Sequence, residues 1–177
     1  MPTLHVCPLA RLNETVEAIG ASHLVSLINP STAMVRPASI PAERHLFIGI
    51  SDMAEPADGH TVAAGGHIVA VNGHIERLIA FVAAWPRVQP LVIHCWAGIS
   101  RSTAAAFIAA CALAPHRAEA EIALALRRAS ATAAPNRRLV AIADDVLRRQ
   151  GRMIAAIERM GRGRDALEGE PFMLRLD

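Results

Sequence analysis

The sequence predicts an α/β fold in which a small, mostly parallel central sheet is flanked by helices in a three-layer arrangement. Short apolar runs over 4–9, 23–28, 46–50 and 91–93 have the length and composition of buried strands. The early runs are separated by helical or loop segments, whereas the second half of the chain contains successive helical segments. Alternation of strands and helices indicates a parallel sheet, and the later helices are expected to cover it.

Each predicted helix has local support in the sequence. The first, over 11–19, is followed by Gly20, a residue that commonly ends helices. Residues 31–43 contain two prolines and are predicted to form a loop. Asn72 can cap a helix with apolar residues on one face, and further helices are predicted over 103–113, 117–128, 137–149 and 151–160.

Length and composition limit the classes of protein to consider. A chain of 177 residues suits one domain, which we expect over 1–160, with 161–177 as an extension packed on it. A net charge of +2 is too small to indicate nucleic-acid binding, and no apolar run has membrane-spanning length. Three cysteines without paired spacing and the absence of a signal-like N-terminus favour a reducing compartment, which we expect to be the cytoplasm.

The most informative segment covers residues 91–103, Leu-Val-Ile-His-Cys-Trp-Ala-Gly-Ile-Ser-Arg-Ser-Thr. It predicts a buried strand, a tight turn that Gly98 makes possible, and a helix. Backbone N–H groups in such a turn and at the start of the helix form a cradle for an anion. Arg101 can grip two oxygens of a phosphate, and the positive surroundings favour the thiolate of Cys95 as a nucleophile.

Two neighbouring side chains have predicted supporting roles. His94 can orient the loop through hydrogen bonds, and Ser102 can donate a hydrogen bond to the Cys95 sulfur when that sulfur is the leaving group. Spacing alone is weak evidence, because Cys111 and Arg117 have the same separation without a glycine or a preceding strand. The prediction therefore depends on the whole set of strand, His, Cys, Gly, Arg, hydroxyl and helix.

The segment from His94 to Ser102 resembles the active-site signature of the cysteine-dependent protein tyrosine phosphatases, especially the compact dual-specificity type and its bacterial relatives. The resemblance extends diffusely over 46–136. It implies that 1–160 is a phosphatase domain without cofactor or metal. The phosphate-binding loop would consist of Trp96, Ala97, Gly98, Ile99, Ser100 and Arg101.

The resemblance also implies a general acid on a loop upstream of the signature. Asp52 follows the predicted strand over 46–50 and is the favoured residue, with Asp58 and then Glu55 as alternatives. Asn136, in Ala-Pro-Asn, resembles an asparagine that braces the phosphate loop through its amide in dual-specificity phosphatases. The same residue can equally be the N-cap of the helix that begins at 137.

The expected activity is hydrolysis of phosphotyrosine in proteins, with phosphoserine or phosphothreonine also open, through a phosphocysteine. Alternatives are a phosphate-binding pseudophosphatase and a phosphatase for a non-protein phosphomonoester such as a phosphoinositide. The absence of lysine from the loop argues against polyphosphorylated head groups. A rhodanese-type sulfur or arsenate enzyme ranks lower, because it does not require the arginine-serine pair. His60, His67 and His74 recur every seven residues, but no ligand set accompanies them, so no metal is expected.

Overall fold

The computed structural model describes residues 3–53, 62–63, 67–68 and 70–176. The strands are β1 (Thr3–Pro8), β2 (His23–Ile28), β3 (His45–Gly49), β4 (Val62–Ala63), β5 (His67–Ile68), β6 (Leu91–Cys95) and β7 (Phe172–Arg175). The α-helices are α1 (Leu12–Ile19), α2 (Asn72–Ala84), α3 (Arg101–Leu113), α4 (Glu119–Ala129), α5 (Arg137–Val146) and α6 (Arg152–Met160). Short 3-10 helices cover Leu9–Arg11 and Ala42–Arg44.

Five strands form the central sheet in the order β3-β2-β6-β1-β7. The first four of these are mutually parallel, and β7 runs antiparallel to β1 at the edge. β4 and β5 pair separately as a two-stranded antiparallel ladder. The predicted α/β class with a small, mostly parallel sheet is therefore confirmed.

Alternating side chains of the strands enter two separate cores. In β6, Leu91 and Ile93 join the larger core with the helices that follow β3. Val92 between them points to the opposite face, where it packs with Leu12 and Val16 of α1 and with Ile40 of the loop after β2. Because both faces are covered, every residue of β6 is buried, which explains its mostly apolar sequence.

Several elements differ from the sequence-based expectations, among them α5, which ends at Val146 rather than at 149. β7 lies in the tail, where no strand was predicted, and it adds 172–175 to the sheet. α3 begins at Arg101 and not at 103, so the turn after Cys95 is shorter than the sequence predicts. The first turn of α2 is capped by His74, whose Nδ1 accepts from the Val71 N–H at 3.1 Å, whereas Asn72 is the first helical residue.

The parallel strands bring several loops to one edge of the sheet. Pro8 is in register with Cys95, and Ile28 with Gly49, so the segments that follow β1, β2, β3 and β6 all leave from this edge. Polar residues placed directly after these strands therefore come together in space. Within the described part of the chain, no helix is both long and apolar enough to cross a membrane.

Candidate active site

The loop of residues 95–101 connects β6 to α3 at this edge. Gly98 adopts a left-handed conformation, with φ of 71°. A Cβ atom at this position would lie 2.8 Å from the backbone nitrogen of Pro8 and 3.0 Å from the carbonyl carbon of Cys7. Gly98 is therefore required twice, first for its backbone conformation and then because β1 passes directly behind the loop.

Four carbonyl groups of the loop are held by backbone N–H groups of the surrounding scaffold. The bonds join Leu9 N to Trp96 O at 3.0 Å, Gly169 N to Ala97 O at 2.8 Å, Ala134 N to Ile99 O at 3.0 Å and Asn136 N to Ser100 O at 3.3 Å. In a trans peptide, the N–H of the next residue points opposite to the carbonyl. Holding these carbonyls outward therefore turns the N–H groups of Ala97, Gly98, Ser100 and Arg101 toward the inside of the loop.

The sulfur of Cys95 lies inside this loop and has two hydrogen-bonding neighbours. The Gly98 N–H donates to Sγ at 3.2 Å, and the Ser102 hydroxyl lies 3.1 Å from it. Cys95 is the last residue of β6 and is 1% exposed. Both groups can donate a hydrogen bond to the sulfur, which lies where the loop N–H groups converge.

The other two cysteines have a different chemical environment. Burial raises the pKa of both Cys7 and Cys111 to about 12, so each remains a protonated thiol at neutral pH. Cys111 lies inside α3, where no turn exists, so its spacing to Arg117 builds no cradle. All three cysteines are free, and no disulfide competes for Cys95.

Arg101 is the first residue of α3 and is 7% exposed. One of its terminal nitrogens donates to the Ile50 carbonyl at 2.8 Å, which fixes the side chain against the end of β3. Its Nε is buried and lacks a hydrogen-bond partner among the described residues. A buried guanidinium N–H without a partner is costly, and an oxyanion in the loop would supply the missing acceptor.

Asp52 lies three residues after β3, beside the loop. Its Oδ1 accepts hydrogen bonds from the Ser100 hydroxyl at 2.7 Å and from the Asn136 amide at 2.8 Å. Its Oδ2 lies 3.8 Å from Arg101 Nε, and the side chain is 39% exposed. Because Oδ1 is occupied by two donors, Oδ2 is the oxygen on which a proton can reside. The alternatives Asp58 and Glu55 lie outside the described residues.

Asn136 is the N-cap that its sequence context offered, but its side-chain amide donates to the segment of Asp52 and not to the loop of residues 95–101. Its Oδ1 accepts from the Leu139 N–H at 3.1 Å, which caps α5. Its Nδ2 donates to Asp52 and, at 3.3 Å, to the carbonyl of Met53. The side-chain amide therefore braces the segment that carries Asp52, while the main-chain N–H of Asn136 reaches the loop at Ser100.

His94 precedes Cys95 and is fully buried. Burial lowers the pKa of its imidazole to about 4, although the hydrogen bond to the Cys95 backbone opposes this effect. Charge repulsion from His45 when it is protonated, and from Arg101, lowers it further. His94 is therefore neutral at neutral pH, with its Nδ1 3.4 Å from the Cys95 carbonyl.

The structure brings all sequence-predicted residues that it describes to one place. It also adds the Ser100 hydroxyl, Gly169 and Ser26. Sequence reasoning assigned no contact to these groups. Ser26 carried a signal, since it is the one polar residue among the buried positions of β2 and must be hydrogen-bonded when buried. Gly169 carried none, because its contact depends on how the tail folds back.

Comparison with known proteins gives a result for the fold alone. No family model and no curated protein matches the chain by sequence. Solved phosphatase structures do match: PTP-2 of Cydia pomonella has 19% identity and a TM-score of 0.61, over 80% of this chain and 84% of that one. DUSP15 has 18% identity and a TM-score of 0.61 over 92% and 96%, and the phosphatase domain of Chaetomium thermophilum Yvh1 has 18% and 0.59 over 85% and 93%. The chain has the fold of the dual-specificity phosphatases.

Proposed function

We propose that this chain is a protein phosphatase of the cysteine-dependent type, which works without a metal. The observation that carries the proposal is the loop itself, in which four outward-held carbonyls turn N–H groups inward around the Cys95 sulfur. Arg101 adds a buried N–H in need of an acceptor. Together they match the charge and shape of a phosphate dianion. The fold shared with solved phosphatases supports the same conclusion.

The proposed reaction has two steps. In the first, the Cys95 thiolate attacks phosphorus, an S–P bond forms, and the bond from phosphorus to the leaving oxygen breaks as that oxygen takes the proton of Asp52. In the second, a water molecule attacks the phosphocysteine while Asp52 accepts its proton. The S–P bond then breaks, and the products are inorganic phosphate and the thiolate, which the Ser102 hydroxyl stabilises 3.1 Å away.

The contacts of Asp52 support its role as the acid and base of this reaction. Ser100 and Asn136 hold Oδ1, so the carboxyl group cannot rotate freely, and Oδ2 faces Arg101, which would bind the phosphate. The proton would therefore lie on the oxygen nearest the reacting bond. A fixed acid of this kind contributes about 10²–10⁴-fold to the rate.

The proposed substrate is a phosphorylated protein, with phosphotyrosine first and phosphoserine or phosphothreonine second. Trp96, on the rim of the loop, is 61% exposed and offers an apolar surface to a substrate side chain. No lysine lies in the loop, so no added positive charge answers the extra phosphates of a phosphoinositide. A thiolate nucleophile needs a reducing environment, and we propose the cytoplasm as its location.

An aryl phosphate assay in the presence of a chelator tests the proposal. We expect turnover by the wild type, none by Cys95→Ser, and a loss of about 10²–10⁴-fold in Asp52→Asn. The phosphocysteine itself is tested by rapid acid quench of Asp52→Asn followed by mass spectrometry of the Cys95 peptide. Loss of turnover on chelation would contradict the metal-free reaction. Phosphopeptide binding without wild-type turnover would instead identify a pseudophosphatase.

A further inference from the structure

Ser26 lies in β2 directly beside the strand that carries the nucleophile. It is fully buried, and its register partner in β6 is His94. Its hydroxyl lies 2.7 Å from His94 Nε2 and 2.8 Å from His45 Nε2. A single hydroxyl group therefore bridges two imidazoles, one of which reaches the Cys95 carbonyl through its other nitrogen.

The number of protons available determines the direction of these hydrogen bonds. The Cys95 carbonyl can only accept, so His94 Nδ1 must carry a proton to bond with it. His94 is neutral, so its Nε2 is then an acceptor and must receive the proton of the Ser26 hydroxyl. Ser26 in turn accepts from His45 Nε2–H. If the hydrogen bonds ran in the opposite direction, the lone pair of His94 Nδ1 would face the Cys95 carbonyl oxygen, and this contact would be repulsive.

The strengths of the contacts indicate which one fixes the ring. The bond from His94 Nδ1 to the Cys95 carbonyl is long, at 3.4 Å, and by itself holds the imidazole weakly. The 2.7 Å bond at the other nitrogen is short and buried, so it sets the tautomer. The hydroxyl has a second, poorer acceptor in Met34 Sδ, at 3.5 Å. Occupation of its oxygen by His45 keeps its proton directed to His94.

We propose that Ser26 and His45 are positioning residues for the nucleophile, because they fix His94 as the Nδ1–H tautomer and thereby hold the Cys95 carbonyl. This carbonyl belongs to the first peptide of the phosphate-binding loop, whose N–H points the opposite way. Its orientation affects the following N–H groups around the sulfur. The inference rests on the proposed function, since it concerns how the loop is held ready for phosphate.

The chain offers a matched control for the serine. Ser22 is also nearly buried beside β2, and its hydroxyl lies 2.8 Å from His23 Nδ1, but it is remote from the loop. Ser26→Ala removes the hydrogen bonds to both His45 and His94, whereas Ser22→Ala removes the one to His23, so each variant deletes a serine hydroxyl that contacts histidine in the same region. For the histidine, His45→Leu removes the donor, whereas His45→Gln returns an N–H at a similar distance from the backbone.

The first measurement is the tautomer of His94 in the full chain, by ¹⁵N NMR of the imidazole nitrogens. We expect the Nδ1–H tautomer in the wild type and in Ser22→Ala, and a mixture of tautomers in Ser26→Ala. An Nε2–H tautomer in the wild type would overturn the inference. Since this readout needs no catalysis, it stands even if the chain hydrolyses no phosphate ester.

The second measurement is the affinity for vanadate, an oxyanion of phosphate-like shape, together with kcat/KM for an aryl phosphate. We expect Ser26→Ala to lose about 10-fold in both, the scale of one buried hydrogen bond, and Ser22→Ala to lose neither. His45→Leu should weaken both in the same direction, and His45→Gln should restore them. Equal behaviour of the two serine variants, or no rescue by glutamine, would overturn the inference. If the wild type shows no turnover but the variants still differ in vanadate affinity as expected, only the proposed function is contradicted.

Discussion

Asn136 allows stability and catalysis to be separated by two substitutions at one position. Its Oδ1 caps α5, and its Nδ2 fixes Asp52. Asn136→Ala removes both functions. Asn136→Ser keeps an oxygen that can accept from the Leu139 N–H, since serine is a good N-cap, but its side chain is too short to reach Asp52. Both variants thus lose the contact with Asp52, whereas only Asn136→Ala also loses the helix cap.

The expected magnitudes follow from these contacts. Loss of an N-cap costs about 1 kcal/mol, so Asn136→Ala should unfold more easily than Asn136→Ser by about that amount. Both lose a hydrogen bond to a carboxylate, for which roughly 1.5–3 kcal/mol is typical. Ser100 still holds Asp52 at 2.7 Å, so the lower value applies. It corresponds to a loss of about 10-fold in acid catalysis for both variants.

The assay compares two aryl phosphates whose leaving groups differ in basicity, alongside urea unfolding. A poor leaving group depends on the acid, so its kcat/KM should fall about 10-fold in both variants, while a good leaving group is affected less. Asp52→Asn, which removes the acid entirely, is the control for the full effect. An equal loss for both substrates would refute the positioning of Asp52 by Asn136. Different activities of the serine and alanine variants would show that the helix cap, and not the amide, matters.

Three further predictions concern the loop and its supports. His94 binds a proton near pH 6.5 when unfolded but only near pH 4 when folded, so its contribution to stability is present above pH 6.5 and falls as the pH decreases. Urea unfolding at pH 7 and at pH 4 gives the free energy of unfolding that each protein loses on acidification. This loss should be about 3 kcal/mol smaller in His94→Asn than in the wild type, and equal losses would contradict the lowered pKa. Gly98→Ala places a Cβ atom 2.8 Å from Pro8 N, on a residue whose φ is 71°. We therefore expect a stability loss of roughly 1–3 kcal/mol and weaker vanadate binding. Unchanged vanadate binding would show that the loop can move away from β1. Gly169→Val would bring a side chain within 3.2 Å of the Gly98 carbonyl, so kcat/KM should fall about 3- to 10-fold while the melting temperature changes little. A kcat/KM equal to that of the wild type would show that the Ala97 carbonyl does not need its hydrogen bond from the C-terminal segment.

The fold was predictable because its signals are local. β2 and β6 are short and mostly apolar, as expected for strands of a sheet covered on both faces, and the structure confirms the parallel arrangement. β7 was not predictable in this way. Its residues Phe172–Arg175 are too few to show a period, and β1 is the partner that makes them a strand.

The same distinction applies to the candidate site. The segment from Cys95 to Arg101 carries its chemistry in adjacent residues, so the sequence pointed to it directly. The contacts among Asp52, Ser100 and Asn136 join residues far apart in the chain, and only the folded backbone determines which donor meets which oxygen. Sequence reasoning therefore predicted residues that lie together at the candidate site but not the network of contacts that joins them.

The supports of the phosphate-binding loop link its geometry to the whole fold. Two of the four backbone donors that hold its carbonyls outward come from opposite ends of the chain, Leu9 just after β1 and Gly169 just before β7. These two segments are joined by the antiparallel pairing of β1 with β7. The outward position of the Ala97 carbonyl, and with it the inward Gly98 N–H, therefore depends on the C-terminal segment having returned to the sheet. Loss of that pairing is expected to release the Ala97 carbonyl, so phosphate affinity should report on the docking of this edge strand.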